Sequence, residues 1–128
     1  MASHTTDFAD KLQKKLNAAV EAESEFAILE VSSHSIAQNR ISGCEFEAAI
    51  FTNLTQDHLD YHSDMESYFQ TKRKLFFPPY LKEKDGICVL NYDDYWITKL
   101  SSDLEKRSSL VSTTVSYTHL TLPTICSV

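Results

Sequence analysis

Glycine is nearly missing, with two residues in a chain of 128. A loop that cradles phosphate groups with backbone N–H donors needs several, so no Gly-rich nucleotide loop can be found here. Cysteine is sparse too: Cys44, Cys88 and Cys126 are odd in number, far apart and without C-x-x-C spacing. That excludes a disulfide framework and a cysteine zinc site and fits a reducing, cytoplasmic setting. No apolar run reaches the roughly eighteen residues of a membrane span, and "MASHTTDFADK" has no apolar core of the kind a secretory signal needs. Excess positive charge is absent as well. With 12 Lys and Arg against 18 Asp and Glu, the net charge is -6. Beyond the short run Lys72-Arg73-Lys74 there is no basic stripe, so neither nucleic acid nor a membrane is an expected partner. The remaining composition, 42% hydrophobic and 23% charged, is that of an ordinary globular domain. The length allows one modest domain or a piece of a larger one.

Helices and short apolar runs alternate along the chain. Thr6 is placed to cap a helix from Asp7 to about Glu23, because Phe8, Leu12, Leu16, Ala19 and Val20 recur at the spacing of one helical face. "FAILEVS" reads as a buried strand, "SHSIAQNRISG" as a loop with one helical turn, and "FEAAIFTN" as a second buried strand. Ser63 and Glu66 form an S-x-x-E capping box for a helix carrying Met65, Tyr68, Phe69, Lys72, Leu75 and Phe76, which Pro78-Pro79 ends. "GICVLN" reads as a third strand, "DDYWITKLSSDLEK" as a helix and "SSLVSTTVS" as a fourth strand. The alternation predicts an α/β fold, a parallel sheet with flanking helices. In such sheets ligands collect beyond the carboxyl ends of the strands. The tail "VSYTHLTLPTICSV" has no helical period and no charge, and residues 115–128 are expected to be non-native or disordered.

Several polar residues fall at those strand ends. "FTNLTQDHLDYH" sets Asp57, His58, Asp60 and His62 within six positions. His58 and His62 are four apart, as in H-E-x-x-H, but the glutamate is missing, which counts against a zinc hydrolase. Solvated or helix-capping side chains are the plain alternative. Glu30 closes the apolar run "AILE", where a carboxylate costs desolvation unless a cation, a donor or water meets it. Oxygen ligands with one imidazole suit magnesium or manganese. "EVSSHSIAQNR" offers hydroxyls, an amide and a guanidinium in one loop, a set suited to sugar hydroxyls and anions. The same residues also serve turns and surface ion pairs.

"EVSSHSIAQNR" and "FTNLTQDHLDYHSDMESYFQTKRKLF" together resemble the central, P-loop ATPase-like domain of the Mur ligases, in particular the branch that forms the tripeptide of the peptidoglycan stem. The resemblance runs from about Thr5 to about Lys99. It implies an ATP-dependent amide ligase in which a terminal carboxylate becomes an acyl phosphate. That species is then attacked by the amine of a diamino acid such as diaminopimelate or lysine. Peptidoglycan synthesis, and through it cell shape and division, would be the setting. By the same resemblance Glu30, His58 and Lys72 are Mg2+ ligands and catalytic residues, with Lys72 carrying a carbon dioxide adduct that turns an ammonium into an oxygen ligand. Thr5, Thr6, Ser32, Gln38 and Arg40 match contacts to UDP-MurNAc-dipeptide. "NYDDYW" matches an N-x-D-D segment near the nucleotide, with Tyr92 and Trp96 in place of small residues.

The resemblance also marks what is missing. The family's G-T-x-G-K-T phosphate loop and its amino-acid-recognising domain have no counterpart here, so residues 1–114 are expected to be a partial central domain, inactive and poorly soluble alone. A related ligase, such as a folate polyglutamate synthetase or another Mur enzyme, is an alternative, as is a non-catalytic binding module. One geometric demand stands out. Lys72 lies nine residues after Ser63, about 13 Å along a helix, so that helix must lean across the sheet edge for Lys72 to meet Glu30.

Overall fold

The computed structural model describes residues 5–54, 64–106 and 111–115, the last by its backbone path. In chain order the elements are α1 (Ala9–Glu21), α2 (Ser33–Ala37), β1 (Ala48–Phe51), α3 (Met65–Arg73) with a 3-10 turn over Lys74–Phe76, β2 (Ile87–Asn91), α4 (Tyr95–Leu104) and β3 (Val111–Val115). The three strands form one parallel sheet in the order β1-β2-β3, with Ala48 opposite Ile87 and Ile87 opposite Val111. Parallel neighbours need a crossover, and α3 and α4 supply the two. The expected α/β class with a parallel sheet and flanking helices is what the chain adopts.

Burial explains why these runs become strands. Ala49, Phe51, Cys88 and Leu90 are almost fully enclosed and alternate with half-buried or exposed neighbours, so one face of the sheet is the more deeply covered. Against them pack Tyr68, Phe69, Leu75 and Phe76 from α3 and its 3-10 turn, and Ile97, Leu100 and Leu104 from α4. Phe51 and Phe76 stack with ring centres 5.5 Å apart, and Phe69 meets Trp96 at 5.3 Å. Cys44 and Cys88 are free thiols.

Four local expectations need correction. Residues 26–31 are no strand of this sheet: Phe26 is 82% and Ile28 62% exposed, and an apolar run becomes a strand only where neighbours accept its backbone ladder and its side chains. In α1 only Leu12 is buried, while Val20 is 73% exposed, so the apolar face is used in part. Thr6 does not cap that helix, whose N-terminus at Phe8 has no side-chain cap. The cap of α3 is Asp64, whose side chain accepts from Ser67 N–H; Ser63 lies outside the described residues, as do Asp57, His58, Asp60, His62 and the tail 116–128.

Candidate functional site

The loop after residue 30 is knotted by short polar contacts. Ser32 caps α2 through its Oγ, which accepts from Ser35 N–H at 3.2 Å, and Ser35 Oγ donates to Ser32 O at 2.6 Å. Past the helix, Asn39 takes a left-handed backbone conformation, φ 58°, which asparagine tolerates better than most residues. The turn sends Arg40 back inward, with its N–H bonded to Ser35 O at 2.8 Å.

Arg40 is 7% exposed, and three of its N–H donors are held by neutral groups. Its Nη1 donates to Thr6 O at 3.0 Å, its Nε to Gln38 Oε1 at 3.1 Å, and its Nη2 to the same amide oxygen. The guanidinium also lies 4.4 Å above the Phe8 ring. No carboxylate pairs with it among the described residues, so a buried positive charge stands on amide and carbonyl oxygens alone. Thr6, 3% exposed, ties the same knot from the other side: Oγ1 donates to Glu30 O at 2.8 Å and accepts from Ser32 N–H at 3.1 Å. Thr6, Ser32, Gln38 and Arg40 are thus one connected group. Thr5 and Thr6 also face Glu30 across a cleft of about 270 Å³.

Lys72 reaches this group from the last turn of α3. Its Nζ donates to Val31 O at 2.9 Å and lies 5.8 Å from the centre of the Phe51 ring. Desolvation of the ammonium lowers its pKa to about 8, and the nearby Glu30 carboxylate opposes the shift without cancelling it. Near neutral pH the ammonium still predominates, but the neutral, nucleophilic fraction is far larger than for a solvated lysine. α3 starts at Met65 and packs on α2, which brings Lys72 to the carbonyl of Val31, the residue after Glu30.

Glu30 has its backbone pinned by Thr6 while its side chain is exposed. Among the described residues no three His, Cys, Asp or Glu side chains cluster as a metal site. As it stands Lys72 is a hydrogen-bond donor, which repels a cation. The pair fits a hard divalent ion only when Lys72 presents oxygen in place of its ammonium, and a carbon dioxide adduct on a neutral amine does that. Sequence reasoning missed the Val31 carbonyl and the Phe8 ring as partners. A backbone acceptor leaves no trace in residue type, and Phe8 was read as part of a helix face.

The profile of the Mur ligase middle domain matches residues 1–121. The chain is 91% identical over 116 residues to "UDP-N-acetylmuramoyl-L-alanyl-D-glutamate--2,6-diaminopimelate ligase" of Prochlorococcus marinus subsp. pastoris, covering 91% of this chain and 23% of the relative. It is 55% identical over 101 residues to the protein of that name from Gloeobacter violaceus, covering 79% of this chain and 20% of the relative. A solved structure of a ligase of that name superposes with a TM-score of 0.75 at 35% identity, over 92% of this chain and 23% of the other. The chain therefore spans about a fifth to a quarter of the length of these relatives.

Proposed function

The chain belongs to the Mur ligase family, and on that premise we propose that it is part of the central domain of an ATP-dependent amide ligase. The ligase joins diaminopimelate to UDP-MurNAc-dipeptide during cytoplasmic peptidoglycan synthesis. Its reaction has two steps. The dipeptide's terminal carboxylate takes the γ-phosphoryl group of ATP, releasing ADP; the amine of the diamino acid then displaces phosphate from the acyl phosphate and forms the amide.

The observation that carries this reading is the seat of Lys72, with its amine depressed to a pKa of about 8 beside Glu30 and fixed on Val31 O. Such an amine takes up carbon dioxide with loss of one proton and keeps an N–H, so its bond to Val31 O can persist after modification. Glu30, His58 and modified Lys72 would then hold magnesium, which supplies charge neutralisation where phosphate and carboxylate oxygens crowd together. Arg40, buried without a carboxylate partner among the described residues, offers positive charge to the anionic nucleotide substrate. Thr5, Thr6, Ser32 and Gln38 shape the same wall. No helix of the described residues is long and apolar enough to cross a membrane.

The test is ADP release by the protein of the complete reading frame. Release that requires both UDP-MurNAc-dipeptide and diaminopimelate supports the reading. Release that ignores either substrate, or the same rate after Lys72→Ala, sinks it. Added bicarbonate is expected to restore nothing to Lys72→Ala.

A further inference from the structure

The ladder between β1 and β2 ends where Phe51 faces Leu90. Beyond it two side chains continue the pairing in place of backbone. Asn91, the last residue of β2 and 8% exposed, donates from Nδ2 to Thr52 O at 2.7 Å and accepts at Oδ1 from Asp93 N–H at 3.0 Å. Asp94 divides its carboxylate. Oδ1 caps α4 by accepting from Trp96 and Ile97 N–H at 2.9 and 3.2 Å, while Oδ2 accepts from Leu54 N–H at 3.0 Å. Leu54 itself is buried at 7% exposure. The exit of β1 is thereby fixed for three residues past the sheet, and the chain enters the stretch that contains His58 four positions later.

We propose that Asn91 and Asp94 are positioning residues for metal binding, acting through the latch they close on Thr52 and Leu54. The inference rests on the ligase reading above. A ligand arriving from a strand end binds well only if its backbone is held before the metal comes, since ordering it afterwards subtracts from affinity. Neither side chain has to touch the metal or the nucleotide. Their polar atoms are bonded within the protein itself, so the role of these two residues of "NYDDYW" needs no nucleotide contact.

A helix cap alone would explain only Oδ1, and that separates the two roles. Asp94→Asn keeps an oxygen for the cap but turns an amide N–H against Leu54 N–H. Asp94→Ser caps equally well but is too short for the latch, and Asn91→Asp loses the donor to Thr52 O. The measurements use the complete protein: Mn2+ affinity by electron paramagnetic resonance, and amide exchange over residues 52–64. All three variants are expected to weaken Mn2+ binding about 10- to 100-fold and to speed exchange at residues 52–54, with α4 amides unchanged in Asp94→Ser. Mn2+ affinity within twofold of the unsubstituted protein overturns the proposal alone, as does unchanged exchange at 52–54. No Mn2+ binding by the unsubstituted protein overturns the ligase reading, and with it this proposal.

Discussion

Lys72 Nζ sits 2.9 Å from the carbonyl oxygen of Val31. A side chain at the end of α3 is thereby tied to the backbone next to Glu30, forty-two positions earlier in the chain. The contact stabilises an amine that burial would otherwise make costly to keep charged.

The pH dependence follows from the sign of that shift. Lys72 has a pKa of about 8 in the fold against 10.5 when solvated, so between these values the native state holds fewer protons than the unfolded chain and stability rises with pH. Below pH 8 the full desolvation cost is present. Urea midpoints of the unsubstituted chain should therefore climb relative to Lys72→Met from pH 8 to 10.5. A difference that stays flat across that window would refute the depressed amine.

Arg40 predicts an effect on stability that lysine cannot repair. Arg40→Lys loses the fork to Gln38 and the reach to Thr6 O and should cost about 1–3 kcal/mol in chemical denaturation. The partly exposed Arg73–Asp103 pair, 3.0 Å apart, makes the contrast: Asp103→Asn should change stability by less than about 1 kcal/mol. Equal losses at the two sites would show that the Arg40 knot is not special.

Phe76 anchors the 3-10 turn after α3 in the core. It is 1% exposed and stacked on Phe51, so Phe76→Ala should cost about 3–5 kcal/mol, read as a fall in melting temperature. A loss below 1 kcal/mol would mean the core is looser than its packing indicates.

Phe26 and Ile28 make the opposite prediction. Both side chains face solvent, and Phe26→Ser with Ile28→Thr should leave the melting temperature within a degree or two while reducing aggregation seen by light scattering. A large drop in melting temperature would show that these side chains pack on something essential.

Much of this fold is readable from local chemistry. α4 is announced by Asp94 before a helical run, and β2 by the apolar run "ICVLN" bounded by Gly86 and the polar Asn91. Residues 26–31 mislead because apolar runs report a wish for burial, and only the neighbouring strands decide whether it is granted. Thr6 misleads for a related reason: a hydroxyl ahead of a helix suggests a cap, yet the stronger offer came from Glu30 O and Ser32 N, twenty-four and twenty-six residues away. At the site, the union of Lys72 with the stretch after Leu29 was suggested by family resemblance and by nothing in spacing. The latch of Asn91 and Asp94 was invisible, because its targets are main-chain atoms of Thr52 and Leu54.

The parallel register has a cost in time as the chain is made. Ala48 cannot find Ile87 until thirty-nine further residues have been added, which at ribosomal speed takes about 2 to 8 seconds. During that wait β1 has no neighbour among the described strands, because β2 is its one partner in the order β1-β2-β3. Emergence of β2, and of Asp94 just after it, supplies the first pairing and the latch, and β3 follows only at Val111, so β1 is completed by segments far downstream of it.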